Sequence, residues 1–322
     1  MNDELIKIEN LDVNFRLKGK LFAPPDVISA VNAVSLSIRK NESFGVVGES
    51  GCGKSTLANA ILGFVKPDRG RIFYKGQDLL TADKKAFLSL RSGMQTIFQD
   101  PYSSLNPRMP VWALISEPLY IRGERDKTVL KARALELLRR VGLGEEDMDR
   151  AAPCFSGGQR QRIVIARALA LQPEFIICDE PLSALDVSVH AQICNLLQDL
   201  RKELRLTYLF ISHNLAVVRH MTERMAVMYL GRVVEYGDTE KIYKNPCHPY
   251  TRALLSAVPE PDVGGRPPEL LRGEVASPIN PPAGCRFQSR CAYAKEDCAA
   301  RPDGLFEAEP EHFTACCMPL LE

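Results

Sequence analysis

Apolar and polar positions alternate through much of the first eighty residues. In "LIKIENLDVNF", "VISAVNAVSLSI" and "GRIFYKG" the apolar and β-branched residues recur with a period of two, as in strands with one face in a core. The pattern predicts a small antiparallel β layer. Four other runs are continuously apolar: "FGVVG" at 44–48, "FIICDE" at 175–180, "YLFISH" at 208–213 and "RMAVMYLG" at 224–231. Such runs suit strands buried on both faces of a parallel sheet. A helical period follows the first of them over residues 55–64 and stops before Pro67. "TVLKARALELLRRVG" at 128–142 ends on Gly142 in a C-cap position. Val189, Ile193, Leu196, Leu197, Leu200 and Leu204 form the core-facing stripe of another helix. From about 100 to 170 the pattern is helical without a buried strand, which predicts a helical subdomain inserted into an α/β unit. Beyond about residue 240 the texture changes, since nine of the 22 prolines lie between 246 and 282. "PEPDVGGRPPELLRGEVASPINPP" reads as an extended wrap. The expected organisation is an α/β domain over 1–240 and a Pro-rich extension over 241–322.

A chain of 322 residues can hold one full core and an appendage. Its 45% hydrophobic and 25% charged composition is that of an ordinary globular protein, and a net charge of +1 gives no basic field to attract nucleic acid. No nucleic-acid partner is expected. "MNDELIKIEN" carries acids where a signal peptide has a basic cluster, and no run approaches the roughly 18 apolar residues of a membrane span. These features predict a cytoplasmic chain, in which ten cysteines are thiols or metal ligands rather than disulfides.

The chemistry concentrates in three stretches. "GESGCGKST", comprising Gly48, Glu49, Ser50, Gly51, Cys52, Gly53, Lys54, Ser55 and Thr56, matches G-x-x-x-x-G-K-[ST] between a buried strand and a helix. Its backbone N–H groups can cradle the β-phosphate of ATP, Lys54 can reach the β- and γ-phosphates, and Ser55 can ligate Mg²⁺. The strand "FIICDE" ends in Asp179, suited to the Mg²⁺ shell, and Glu180, suited to orienting or deprotonating water. In "CFSGGQRQRIVIARAL", Ser156, Gly157, Gly158 and Gln159 can present bare N–H groups at a helix start, where the dipole favours an anion. No lysine accompanies them, so this is half of a phosphate site.

Taken together, the phosphate loop, "FSGGQ", "CDE" followed by "SALD", a Gln at 99 and a His at 213 resemble the nucleotide-binding subunit of an ATP-binding cassette (ABC) transporter over about residues 5–240. The resemblance implies a P-loop cassette ATPase, an α/β fold with an antiparallel β layer, a parallel-sheet core and a helical subdomain. It implies that two cassettes pack head to tail, with Ser156, Gly157, Gly158 and Gln159 of one covering ATP held by the other. By the same matching, Gln99 senses Mg²⁺ and the attacking water, His213 acts as γ-phosphate switch, and Asp186 links the composite sites. Phe15 in "LDVNFRLKG" is the candidate for stacking on adenine. The insertion "KGKLFAPPDVI" around Phe22 resembles the peptide importers, and among their two ATPase types the one usually encoded second.

The ending strengthens that resemblance. Cys285, Cys291 and Cys298 in "GCRFQSRCAYAKEDC", with Cys316 in "EHFTACC", are separated by five, six and seventeen residues. These gaps fit the paired spacing of zinc knuckles poorly, whereas four-thiolate iron–sulfur sites tolerate varied spacing. The resemblance to oligopeptide and dipeptide importer ATPases implies an iron–sulfur cluster, of the 4Fe–4S type, on these four, with "H-x-x-x-C" from His312 selecting Cys316 over Cys317. Buried structural thiols are the plain alternative. The implied partners are a second, paralogous cassette subunit, two transmembrane permease subunits and, indirectly, an extracytoplasmic solute-binding protein. The implied location is the cytoplasmic face of the membrane. Three other readings stand beside it: a soluble cassette ATPase acting on ribosomes or DNA, an importer ATPase for nickel or another small solute, and a non-catalytic regulatory cassette.

Overall fold

A computed structural model describes residues 3–17, 26–257, 273, 276–281, 284–300, 304–316 and 318–320. The insertion around Phe22 and most of the Pro-rich wrap lie outside these residues, as does Cys317.

The described chain forms two compact units. The first takes Met1–Ala82 together with Ile211–Glu322, and the second Asp83–Phe210. In the first, β1 (Glu4–Arg16), β2 (Val27–Arg39), β3 (Ser43–Val47), α1 (Lys54–Ile61), β4 (Arg69–Tyr74) and β5 (Gln77–Asp78) follow in order. The alternating segments pair antiparallel in the order β2-β1-β4-β5, as their period predicts. Ile6, Ile8, Leu11 and Val13 of β1 are buried on one face. All five residues of β3 are buried.

The second unit carries α2 (Lys84–Ser92), β6 (Met94–Ile97), α3 (Pro101–Ser104), α4 (Val111–Ile121), α5 (Lys127–Arg140), α6 (Gly157–Ala168), β7 (Phe175–Asp179) and α7 (Val187–Leu204). β8 (Thr207–Ser212) carries the chain back to the first unit. The four helices α3 to α6 fill the stretch from Pro101 to Ala168, and α6 lies against α3, α4 and α5. β6 pairs parallel with β7. Periodicity did not announce β6, because only Met94 and Ile97 of its four residues are buried.

The chain then adds α8 (Leu215–Met221), β9 (Arg224–Tyr229), β10 (Arg232–Asp238), α9 (Thr239–Lys244), α10 (Pro249–Ser256), α11 (Asp297–Ala300), β11 (Phe306–Glu309) and β12 (His312–Thr314). β9 pairs parallel with β3, as its continuous apolar run predicts. Three antiparallel strands extend that sheet in the order β9-β10-β12-β11. Thus the cysteine-bearing extension contributes β11 and β12 to a sheet of the first unit. Its anchor is buried and polar. His312 Nε2 donates to Glu235 at 2.7 Å, and the same carboxylate accepts the N–H groups of Cys247 and His248 at 2.7 and 2.9 Å. Glu235 and His312 are both fully buried, so this network satisfies groups that would otherwise be costly to desolvate.

Candidate functional site

The phosphate loop sits where β3 meets α1. Gly48 has φ 151 and Gly53 φ 108, conformations that side chains resist, and both are also sterically pinned. A Cβ at Gly48 would lie 2.2 Å from the Met228 carbonyl oxygen, and one at Gly53 would lie 2.1 Å from that of Ala30. These glycines let the loop press against neighbouring backbone. Lys54, first residue of α1, is 5% exposed, and its Nζ donates to the Gly48 and Glu49 carbonyls at 2.8 and 3.0 Å. The ammonium is thereby held at the centre of its own loop, with Ser55 exposed beside it. Burial pushes the Cys52 thiol upward, so it acts as a small packing group rather than a nucleophile.

Glu49 and Ser50 follow Gly48 in this loop, half-buried and exposed respectively. The Glu49 carboxylate takes both arms of the Arg290 guanidinium at 2.7 and 3.2 Å, and its N–H donates to the Tyr250 hydroxyl at 2.9 Å. The carboxylate bonds raise the Arg290 pKa above its ordinary value. Neither Arg290 nor Tyr250 was anticipated from sequence, because 241 and 201 residues separate them from Glu49 and no motif links them.

In the second unit, Asp179 closes β7 and Glu180 follows it at φ 48. A glutamate in the left-handed region stores about 1–3 kcal/mol of backbone strain. The turn is fixed by Ser183, whose N–H and hydroxyl both donate to the Glu180 carbonyl, at 3.2 and 3.0 Å. The side chain is thereby aimed: Gln99 Nε2 donates to Glu180 Oε2 at 3.1 Å. Two residues 81 apart in sequence are brought into the relation expected of a water-positioning pair.

Ser156 begins α6 with a reciprocal cap. Its hydroxyl accepts from the Gln159 backbone N–H at 3.4 Å, and Gln159 Oε1 accepts from the Ser156 N–H at 3.0 Å. The two glycines that follow differ. A Cβ at Gly158 would meet Val189 Cγ1 at 2.6 Å, so this glycine is required for the approach of α7. At Gly157 the nearest atoms would be Leu185 Cδ2 at 3.4 Å and the Tyr102 hydroxyl at 3.6 Å, ordinary contacts. Gly157 therefore has no steric reason within the chain to lack a side chain. Asp186, N-cap of α7, makes no side-chain capping bond and is exposed. His213, just past β8, is exposed, and Phe15 on β1 is 41% exposed, so it is not a core phenylalanine.

Cys285, Cys291, Cys298 and Cys316 line one cavity of about 340 Å³ in the first unit, together with Arg232 and Arg286. Four soft sulfur donors and two cationic neighbours fit an anionic metal–sulfur group. A different trio draws its side chains closer: Glu235, Cys247 and His312 offer ligand atoms within 4.8 Å of one another. Their atoms are engaged in the hydrogen bonds that anchor β12, and Cys247 Sγ stands 3.7 Å from His312 Nδ1. Burial and the Glu235 carboxylate push the Cys247 thiol up to about 12, which keeps it protonated.

Comparison with known proteins bears on these features together. Residues 31–183 match the family model for ABC transporters, and residues 234–298 match that for the oligopeptide/dipeptide transporter C-terminal region. The chain is 48% identical over 320 residues to the oligopeptide transport ATP-binding protein OppF of Escherichia coli strain K12, spanning 97% of this chain and 95% of the relative. It is 46% identical over 324 residues to the oligopeptide transport ATP-binding protein AppF of Bacillus subtilis strain 168, spanning 98% and 97%. Among solved structures, cbiO1 of Clostridium perfringens, part of the ABC transporter complex cbiONQ, aligns with TM-score 0.65 at 27% identity, covering 76% of this chain and 92% of that one. The dimeric post-hydrolysis state of the cassette MJ0796, bound to ADP and Pi, aligns with TM-score 0.63 at 29% identity, covering 73% and 98%.

Proposed function

The chain belongs to the ATP-binding subunits of oligopeptide and dipeptide ABC transporters and hydrolyses ATP to power import, and from that premise we propose how its residues divide the work. Gly48 to Thr56 hold the phosphates of ATP, with Phe15 on the adenine. Ser55, Asp179 and Gln99 serve Mg²⁺. Glu180 positions and deprotonates the attacking water, with His213 reporting on the γ-phosphate. The observation that carries this assignment is the Gln99–Glu180 hydrogen bond at the strained end of β7. Strain at that point is explained by aiming a carboxylate for chemistry.

Ser156 to Gln159 complete the site of a second cassette, with Asp186 linking the two composite sites. Gly157 supports this reading, since among the described residues a side chain there would meet only ordinary contacts. The partners are a paralogous cassette and two permease subunits, with a solute-binding protein acting beyond them. Among the described residues no helix is long and apolar enough to cross a membrane. The subunit works on the cytoplasmic face of its permeases, as the location implied for such importers requires. Ser156→Arg in the assembled importer should abolish hydrolysis at the opposing phosphate loop without displacing ATP from Lys54 of the same chain. A large loss of nucleotide affinity in the mutant chain would mean that the two sites act in cis.

Cys285, Cys291, Cys298 and Cys316 would hold an iron–sulfur cluster of the 4Fe–4S type. It would supply cross-linking rather than electron transfer, because ATP hydrolysis consumes no electrons. Anaerobic purification followed by iron, sulfide and zinc analysis tests this: about four iron and four sulfide per chain are expected, and zinc alone or no metal would refute it.

A further inference from the structure

The phosphate loop contains a carboxylate. Glu49 follows Gly48 directly in a stretch whose backbone N–H groups are to receive phosphate, so its charge opposes the anion that the loop exists to bind. The extension supplies the counter-charge. Arg290 ends the short helical turn Gln288–Arg290, is 7% exposed, and clamps Glu49 through two parallel N–H to oxygen bonds at 2.7 and 3.2 Å. Bidentate pairs of this kind fix orientation as well as charge.

The clamp is itself rigidly mounted. Phe287 packs edge-on against Tyr229 with centroids 5.2 Å apart, and Tyr250 packs on both, at 4.7 and 5.4 Å. The Tyr250 hydroxyl accepts the Glu49 N–H, so one aromatic cluster holds both the backbone of Glu49 and the turn that carries Arg290. On its other side the loop is tied to the end of β9, where Gly231 N–H donates to the Cys52 carbonyl at 2.8 Å.

We propose that Arg290 is a positioning residue for nucleotide binding: by pairing with Glu49 it neutralises a carboxylate within the phosphate loop, and the C-terminal extension thereby sets the affinity for MgATP in cis. The inference rests on Gly48–Thr56 being the nucleotide site. It assigns the extension a second task beside holding its cavity together, and it makes Glu49 costly to nucleotide binding whenever the clamp is absent.

The test uses the full chain in its assembled importer, with MgATP titrated in hydrolysis assays and a fluorescent ATP analogue in equilibrium binding. Arg290→Met should raise KM and the analogue's Kd by about 5–30-fold, the range of ordinary coupling between sites, while kcat changes less than about twofold. Glu49→Gln added to Arg290→Met should lower both constants at least about threefold from their Arg290→Met values, because the exposed charge is then gone. A purely structural role for Arg290 would not be rescued by removing its partner's charge. Arg290→Lys, which keeps the charge and is least disruptive to folding, should weaken binding less than Arg290→Met. The proposal is overturned if Arg290→Met binds within twofold of native, or if Glu49→Gln fails to suppress it. Lys54→Ala is the control for the site itself: if it leaves binding unchanged, the assignment of the loop fails rather than the role of Arg290.

Discussion

Replacing Gly157 and Gly158 singly by alanine separates two roles that their adjacency conceals. At Gly158 the added methyl would sit 2.6 Å from Val189 Cγ1, about 1 Å inside the optimal carbon–carbon separation of roughly 3.5–4.0 Å. Valine in a helix has one strongly preferred rotamer, so it cannot turn away freely. Overpacking of this kind costs about 1–3 kcal/mol, partly offset by up to about 1 kcal/mol from the better helix propensity of alanine. Gly158→Ala should therefore destabilise by up to roughly 3 kcal/mol, and by about 1–2 kcal/mol in the middle of that range. Gly157→Ala meets nothing closer than 3.4 Å and has no positive φ to violate, so its stability should be unchanged or slightly raised. Its turnover should nevertheless fall by at least about tenfold, because the methyl stands where the opposing nucleotide must approach bare backbone. Thermal melting of the purified chain and ATP turnover of the assembled importer read the two effects. Adding Val189→Ala to Gly158→Ala should recover most of the lost stability. Native turnover by Gly157→Ala, in a chain that melts normally, would refute the assignment of this helix start to a second cassette.

Two further outcomes follow from buried groups in the first unit. His248 is neutral because burial lowers its pKa from 6.5 to about 3, and its Nδ1 accepts the Tyr250 N–H as the cap of α10. The folded pKa lies below the unfolded one, so the stabilisation is complete above about pH 6.5 and is lost as pH falls toward 3, with a slope of up to about 1.4 kcal/mol per pH unit. His248→Asn, which retains a capping acceptor, should flatten the melting temperature across that window relative to native. Glu42 pairs with Arg224 through bonds of 2.5 and 2.9 Å, both residues being under 10% exposed. Glu42→Ala leaves a buried guanidinium without its anion and should cost about 3–5 kcal/mol, read as a drop in denaturation midpoint, whereas a loss below about 1 kcal/mol would contradict that pairing.

Much of this was legible in the sequence because the signals are local. The period of two in "LIKIENLDVNF" and the unbroken run in "FGVVG" decide which faces are buried, and they fixed β1 and β3 before any contact was known. The phosphate loop and the Ser156 cap are likewise confined to a few consecutive residues. What escaped is non-local. β6 is too short and too polar to show a period, and the antiparallel addition of β12 to β10 depends on Glu235 finding His312 across 77 residues. Chain length and the Pro-rich texture predict an appendage to the main core, yet this segment shares a sheet with the cassette and reaches its phosphate loop through Arg290. Spacing along the chain carries no trace of such meetings.

On the proposed assignment, Glu180 is the residue that prepares water for ATP hydrolysis. Glu180→Gln keeps the shape of the side chain and can still hydrogen-bond Gln99, while removing the base. Measured as ATP hydrolysis by the assembled importer alongside nucleotide bound at equilibrium, the variant should retain ATP nearly as the native chain does and lose at least about 10²-fold in turnover. Near-native hydrolysis by Glu180→Gln would contradict the account.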